Sequence, residues 1–229
     1  MTGALAALRA ENLYRFYRTG EDEVLALRGV CLTVLAGEFV ALTGPSGSGK
    51  STLLACLAGL DEPDGGFVHL GATRLSHRSE PERAALRARR IGVLMQSNNL
   101  LPHLTVAANV CLVQRMVRST DRPSASAVLE SVGLAGRVAA RPGQLSGGEL
   151  ARAGLAVALA NGPEVLLADE PTGELDRTTE AMVLGLVRAE ADAGRAVLVA
   201  SHSAAVARTA DRVLTLSAGS LVGPQAGVV

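Results

Sequence analysis

Three short runs of consecutive apolar residues stand out along the chain: 39–43 (Phe-Val-Ala-Leu-Thr), 165–168 (Val-Leu-Leu-Ala) and 196–200 (Ala-Val-Leu-Val-Ala). A strand covered on both faces has no polar face to alternate with, so such runs, separated by helical stretches, predict a parallel sheet packed on both sides. Each run ends on polar or glycine-rich sequence: Gly44 after the first, Asp169-Glu170-Pro171 after the second, Ser201-His202 after the third. Ligands of open α/β sheets lie beyond the carboxyl ends of the strands. Lys50, Asp169, Glu170 and His202 are therefore expected to converge.

The remaining pattern is of two kinds. Residues 12–18 and 24–35 are β-like and flank a polar turn at 18–23, and 66–70 adds a short strand, which predicts an antiparallel patch beside the main sheet. Residues 51–60 read as a helix, and 91–95 as a strand ending at Gln96. From Gln96 to Ala160 helical signals dominate, which predicts a helical subdomain inserted into the sheet lobe. The fold class is α/β. The whole chain reads as a single domain, with about 10–96 and 161–221 forming the sheet lobe, about 97–160 the helical part and 222–229 a tail.

Composition narrows the chemistry. The 229 residues are 48% hydrophobic and only 2% aromatic, so the core must be built from Leu, Val and Ala. Basic and acidic residues number 22 each, a balance that argues against a nucleic-acid binder held by phosphate neutralisation. Arg83, Arg87, Arg89 and Arg90 sit close to Glu80 and Glu82 and read as a solvated helix face. Cys31, Cys56 and Cys111 are widely spaced and odd in number, as expected of buried thiols in a reducing compartment. No apolar run approaches the ~18 residues of a membrane span, and no basic-then-apolar leader opens the chain. A cytoplasmic protein is expected, with any membrane role exercised through a partner.

Lys50 is the chain's sole lysine; every other basic residue is arginine. It lies in Gly44-Pro45-Ser46-Gly47-Ser48-Gly49-Lys50-Ser51, a complete G-x-x-x-x-G-K-[ST] phosphate loop. A compact ammonium on a flexible stem can reach between phosphates inside a backbone cradle, where a planar guanidinium is too wide. The glycines allow backbone N–H groups to wrap a pyrophosphate, and the helix that follows offers its positive end. Ser51 is placed to ligate Mg²⁺, and Asp169 to hold it directly or through water. Glu170, beside that carboxylate, suits a general base for an attacking water, an effect of ~10²–10⁴-fold.

Leu145-Ser146-Gly147-Gly148-Glu149 lies upstream of 165–172 (Val-Leu-Leu-Ala-Asp-Glu-Pro-Thr), with Gln96 before it and His202 beyond. In this order the motifs resemble the ATP-binding cassette (ABC) ATPases over about residues 12–221. Gly59-Leu60-Asp61, residues 99–102 and 104–106, and 168–173 are similar to the lipoprotein-release, macrolide-efflux and cell-division subgroup. The resemblance implies a P-loop ABC ATPase with a RecA-like, mostly parallel core sheet. By that resemblance ATP would be held by Gly44, Pro45, Ser46, Gly47, Ser48, Gly49, Lys50, Ser51 and Thr52, with Tyr17 stacked on adenine. Tyr14 and Phe16 are near enough to exchange that role. It further implies that Gln96 touches Mg²⁺ and the water, that His202 contacts the γ-phosphate, and that Glu170 is the base. Ser146, Gly147, Gly148 and Glu149 would face the γ-phosphate held by a second copy, across a head-to-tail homodimer whose seam Asp176 approaches. The partner implied is a membrane permease, docked near 97–110 and driven for efflux or extraction at the inner face of the cell membrane. A regulatory, non-transporting cassette of the cell-division type is the alternative.

The chain departs from the family's usual pattern in places. Leu150 and Ala151 stand where polar residues are usual, Ala108 where a glutamate would complete a capping box, and Ser203 where an aspartate usually follows the histidine. None removes a phosphate, metal or base group. A DNA-repair or chromosome-organising head would need a coiled-coil insertion for which the chain has no room, and a GTPase would carry an N-K-x-D motif that is absent.

Overall fold

The structure is a computed structural model and describes residues 6–19, 22–117 and 122–222. Its centre is a six-stranded sheet in the order β10-β9-β3-β8-β7-β6. β3 (Phe39–Thr43), β6 (Ile91–Leu94), β7 (Val165–Asp169), β8 (Ala196–Ala200) and β9 (Arg212–Ser217) run parallel, and β10 (Ser220–Val222) closes the edge antiparallel to β9. The three apolar runs become β3, β8 and β7, side by side at the centre. Along each, alternate side chains serve different cores. Val40, Leu42, Val165, Leu167 and Leu198 face one apolar cluster, while Phe39, Ala41, Leu166, Ala168, Val197 and Val199 face the other. Uninterrupted apolar sequence is the consequence of this two-sided burial.

The first cluster is closed by α1 (Lys50–Leu57) and by a four-stranded antiparallel sheet in the order β2-β1-β4-β5. Its strands are β1 (Ala6–Thr19), β2 (Asp22–Leu35), β4 (Gly65–Leu70) and β5 (Thr73–Arg74). β1 starts earlier than the sequence pattern indicates, because a register shift between Ala10 and Leu13, with Asn12 in the left-handed region, breaks the alternation. The second cluster is roofed by α3 (Val106–Arg115), α4 (Ala125–Ser131), α5 (Gly147–Leu159), α6 (Arg177–Asp192) and α7 (Ala204–Thr209). The helical stretch 106–159 thus shares its apolar core with the central sheet.

The arginine-rich stretch differs from its expected role as a solvated face. It forms α2 (Glu80–Arg90), opened by a Ser79–Glu82 capping box with Pro81 in the first turn, and no residue of the helix is buried. Its arginines nevertheless fasten it to three other segments. Arg83 pairs with Glu62 and Glu80, Arg87 donates to the Gly59 carbonyl at 2.7 Å, and Arg90 bridges Glu164 and the Leu70 carbonyl. Leu86 alone of this helix packs against the first cluster, so polar links supply much of what holds it.

Candidate functional site

β3 leads into the phosphate loop, and α1 begins at its end. An added Cβ at Gly44 would lie 2.1 Å from the Leu216 carbonyl oxygen, so only glycine lets the loop press against β9. Gly49 is the N-cap of α1, in the left-handed region with no side-chain cap. Among the described residues, the backbone N–H groups of Lys50, Ser51 and Thr52 have no protein acceptor. Uncapped amides at a helix N-terminus are an anion site. The Ser48 hydroxyl is buried there without a partner. Lys50 Nζ lies over the loop, donating to the carbonyls of Gly44 (2.8 Å) and Pro45 (3.1 Å).

This cradle opens into a cleft of about 640 Å³ lined by Tyr17, Gly44, Pro45, Ser46, Gly47, Gly49, Lys50, Ser51, Thr52, Gln96, Asp169, Glu170 and His202. Residues from the ends of β1, β3, β6, β7 and β8 are brought together, as the strand-end argument anticipates. Ser51, Gln96 and Asp169 all line this cleft, and their hydroxyl, amide and carboxylate oxygens are a donor set that suits a hard divalent cation.

Glu170 is the most constrained of these residues. Its backbone is left-handed (φ 46°) and its N–H donates to the Ala200 carbonyl at 2.9 Å, which ties the end of β7 to the end of β8. A non-glycine residue in that region costs about 1–3 kcal/mol and persists only where its surroundings impose it. One carboxylate oxygen accepts from His202 twice, from the backbone N–H at 3.2 Å and the ring Nδ1 at 2.8 Å. The other accepts from the Ser201 hydroxyl at 2.8 Å. The Glu170 side chain is 14% exposed and that of His202 75%, so the ring covers the carboxylate and faces the cleft. In the sequence, the one mark of Ser201 is its place directly before His202 at the end of an apolar run.

Tyr17, and neither Tyr14 nor Phe16, lines the cleft. Tyr14 instead lies across Gly29 and Gly65 of the neighbouring strands. The Tyr17 hydroxyl donates to Asp61 at 2.7 Å, and the Arg15 guanidinium lies 4.7 Å from its ring centroid. Arg15 itself forks onto Asp61 (2.8 and 2.9 Å) and reaches Asp64 at 3.0 Å. Burial and the hydrogen bond to Asp61 push the Tyr17 phenol above its ordinary range. Asp61, noted in the sequence only within Gly59-Leu60-Asp61, thus fixes the aromatic ring 44 positions earlier.

Ser146, Gly148, Glu149 and Asp176 do not line this cleft. Ser146 is the N-cap of α5, its hydroxyl accepting from the Glu149 N–H at 3.3 Å while Glu149 accepts the Ser146 N–H at 2.9 Å. Glu149 also pairs with Arg137 at 2.7 Å, and these bonds hold its carboxyl below the usual range, the Ser146 N–H first among them. Its charge is occupied in supporting the helix start. Asp176 is likewise the N-cap of α6, accepting from the Thr179 hydroxyl (2.6 Å) and the N–H groups of Thr178 and Thr179; the Thr179 hydroxyl is the main cause of its lowered pKa.

Gly147 borders a second cleft, of about 350 Å³, which shares Gln96 and Glu170 with the first and includes Asn98, Pro102, Leu150 and Leu175. Two asparagines shape its loop. Asn99 accepts the Met95 N–H (2.8 Å) and donates to the Met95 carbonyl, and Asn109 accepts the Leu101 N–H (2.7 Å) while donating to the Thr105 carbonyl (3.0 Å). Met95, Leu101 and Leu150 remain exposed around it. Thr105 caps α3 by accepting from Ala108 N–H at 3.1 Å, half of a capping box, as the alanine at 108 requires.

Known proteins share this architecture. The ABC transporter family model matches residues 27–173. The lipoprotein-releasing system ATP-binding protein LolD of Pseudomonas syringae pv. tomato is 43% identical over 221 residues, covering 95% of this chain and 97% of that protein. The macrolide export ATP-binding/permease protein MacB of Rhodopirellula baltica is 44% identical over 91% of this chain, which spans 31% of that longer protein. Among solved structures, the dimeric form of the bacterial ABC transporter cassette MJ0796 superposes with a TM-score of 0.86 at 34% identity, covering 96% of this chain and all of that one. A post-hydrolysis dimer of the same cassette, bound to ADP and Pi, also gives 0.86 at 33% identity. No helix among the described residues is long and apolar enough to cross a membrane. The chain belongs to the ABC transporter family, as an ATP-hydrolysing cassette.

Proposed function

We propose that this ATPase closes as a head-to-tail homodimer on two ATP molecules and that its turnover drives a membrane permease for efflux or extraction. The observation that carries the reading is the separation of the motifs. Lys50, Glu170 and His202 share one cleft, whereas Ser146 caps a helix outside it. A γ-phosphate over Lys50 is therefore half enclosed in one copy, and the exposed start of α5 in another copy would complete it.

Within the site, the free amides at the start of α1 and Lys50 bind the phosphates, and Tyr17 offers a ring face to adenine. Mg²⁺, held by Ser51, Gln96 and Asp169, would neutralise charge on the phosphate oxygens. Glu170 accepts a proton from the attacking water. His202, hydrogen-bonded to the same carboxylate, orients it and faces the γ-phosphate. Asp176, spent on its cap, shapes the segment that approaches the seam. The segment 97–110, a loop that runs into the start of α3 and is held by Asn99 and Asn109, presents Leu101 for docking to the permease, beside exposed Met95 and Leu150. The enzyme would then lie at the inner face of the cell membrane through that partner. Within the single domain, the helical subdomain of about 97–160 would tilt against the sheet lobe of about 10–96 and 161–221 during closure.

Glu170→Gln tests the assignment. It keeps the shape and loses the base, so ATP should bind, turnover should fall by at least ~100-fold, and a stable dimer should accumulate. A monomer hydrolysing ATP normally would sink the assignment.

A further inference from the structure

The two segments that carry Glu170 and His202 are joined by a residue from a third element. Glu180 lies in the first turn of α6. Its Oε1 accepts from the Ser203 hydroxyl at 2.6 Å and from the Thr172 hydroxyl at 3.2 Å. Thr172 is buried two residues beyond Glu170, and Ser203 directly follows His202. A single carboxylate oxygen therefore links the segment of the base to the segment of the histidine. From Ser203 the chain of bonds continues inward. Its backbone N–H donates to the Ser201 hydroxyl at 3.0 Å, and that hydroxyl donates to Glu170 at 2.8 Å. Because Ser201 accepts from Ser203, its one proton is directed at Glu170. Ser201 is 1% exposed, so no solvent competes for it.

Ser203 stands where the family usually has aspartate. A serine hydroxyl still caps α7, accepting the Ala205 N–H at 3.1 Å, but it brings no charge. The charge beside this loop comes instead from Glu180 on α6.

We propose that Glu180 and Ser201 are positioning residues for ATP hydrolysis, clamping the Glu170 and His202 segments in one geometry. This rests on the reading of Glu170 as the base. A carboxylate carried on a left-handed backbone needs such fixing, since a base displaced by an ångström loses much of its effect.

The test uses steady-state hydrolysis by the full chain with MgATP. Glu180→Ala should lower kcat about tenfold, as expected when a charge-assisted bond that orients a base is lost, with KM for ATP within about twofold. Glu180→Gln keeps an oxygen that accepts both hydroxyls and should retain most of the rate. In a His202→Ala background, Glu180→Ala should add little, because the two act through one unit. Ser201→Ala, acting on the other end of the chain of bonds, should repeat the kcat-selective loss. Unchanged kcat in both Glu180→Ala and Ser201→Ala overturns the proposal. So does an equal loss in Glu180→Ala and Glu180→Gln with KM rising in parallel, the mark of general destabilisation. Glu170→Gln in the same series separates the two levels: if it is inactive while Glu180→Ala is normal, only the clamp falls, and if it turns over normally, the base assignment falls as well.

Discussion

Tyr17 lines the cleft above the phosphate loop and is 37% exposed, with the Arg15 guanidinium 4.7 Å from its ring centroid. Tyrosine side chains bury about 200 Å² when fully covered, so about 75 Å² of this one remains for a ligand to cover. At about 25 cal/mol per Å² that area is worth about 2 kcal/mol, and about 1 kcal/mol if only the free face is covered. Measured base–aromatic stacking, about 1–3 kcal/mol per base, brackets this. Tyr17→Ala should therefore weaken MgATP binding by roughly 5- to 30-fold, while kcat at saturating ATP stays near wild type. Tyr17→Phe removes only the hydroxyl bond to Asp61 and keeps the ring, so its effect should be no more than about threefold. Tyr14→Ala, whose ring covers Gly29 and Gly65 outside the cleft, should leave ATP affinity unchanged. Fluorescent-nucleotide displacement gives affinity, and phosphate release gives kcat. An unchanged affinity for Tyr17→Ala, or an equal loss for Tyr14→Ala, would refute the assignment of the stacking face.

Two further expectations concern stability. Gly44→Ala drives a Cβ to 2.1 Å from the Leu216 carbonyl, whereas at Gly47 (φ 75°) nothing lies within 4 Å. Gly47→Ala should therefore cost only the left-handed penalty of about 1–2 kcal/mol, and Gly44→Ala clearly more; equal urea midpoints would contradict the backbone account of the loop. Asp211 accepts from Arg188 at 2.8 Å and from the Phe39 N–H at 2.8 Å, and Arg188 first, then that N–H, lower its pKa from 3.8. A depressed folded-state pKa adds stability above 3.8 that disappears as the pH falls through the lowered value. The urea midpoints of wild type and Asp211→Asn should thus differ near neutrality and converge in acid, and a gap independent of pH would remove the carboxylate from this role.

The sequence showed best what burial dictates on both sides. β3 and β8 coincide with apolar runs, and β7 extends its run by Asp169, because no alternation had to be decoded. β9, in which only Leu214 and Leu216 are buried and Val213 is exposed, carries too weak an apolar pattern. β1 was shortened by the irregularity at Asn12, which hides the register of its first half. The arginines of α2 looked like a solvated face because their partners Glu62, Glu164 and the Gly59 carbonyl are set by folding. In the site, contiguous motifs were legible: the phosphate loop, Asp169-Glu170 and Ser146-Gly147-Gly148. The residues that fix those motifs were not. Asp61 acts on Tyr17 across 44 positions and Ser201 on Glu170 across 31, distances over which local pattern carries no information.

That each copy holds only half of the site can be tested with two inactive variants. Lys50→Ala removes the phosphate contact from the cleft and Ser146→Ala removes the hydroxyl at the start of α5; each alone leaves every site of a homodimer defective. Mixed, the Lys50 of one copy can meet the Ser146 of the other and restore one site in each heterodimer. The account predicts hydrolysis in the mixture well above that of either variant alone. A mixture no more active than its components, or full activity in Ser146→Ala by itself, would contradict it.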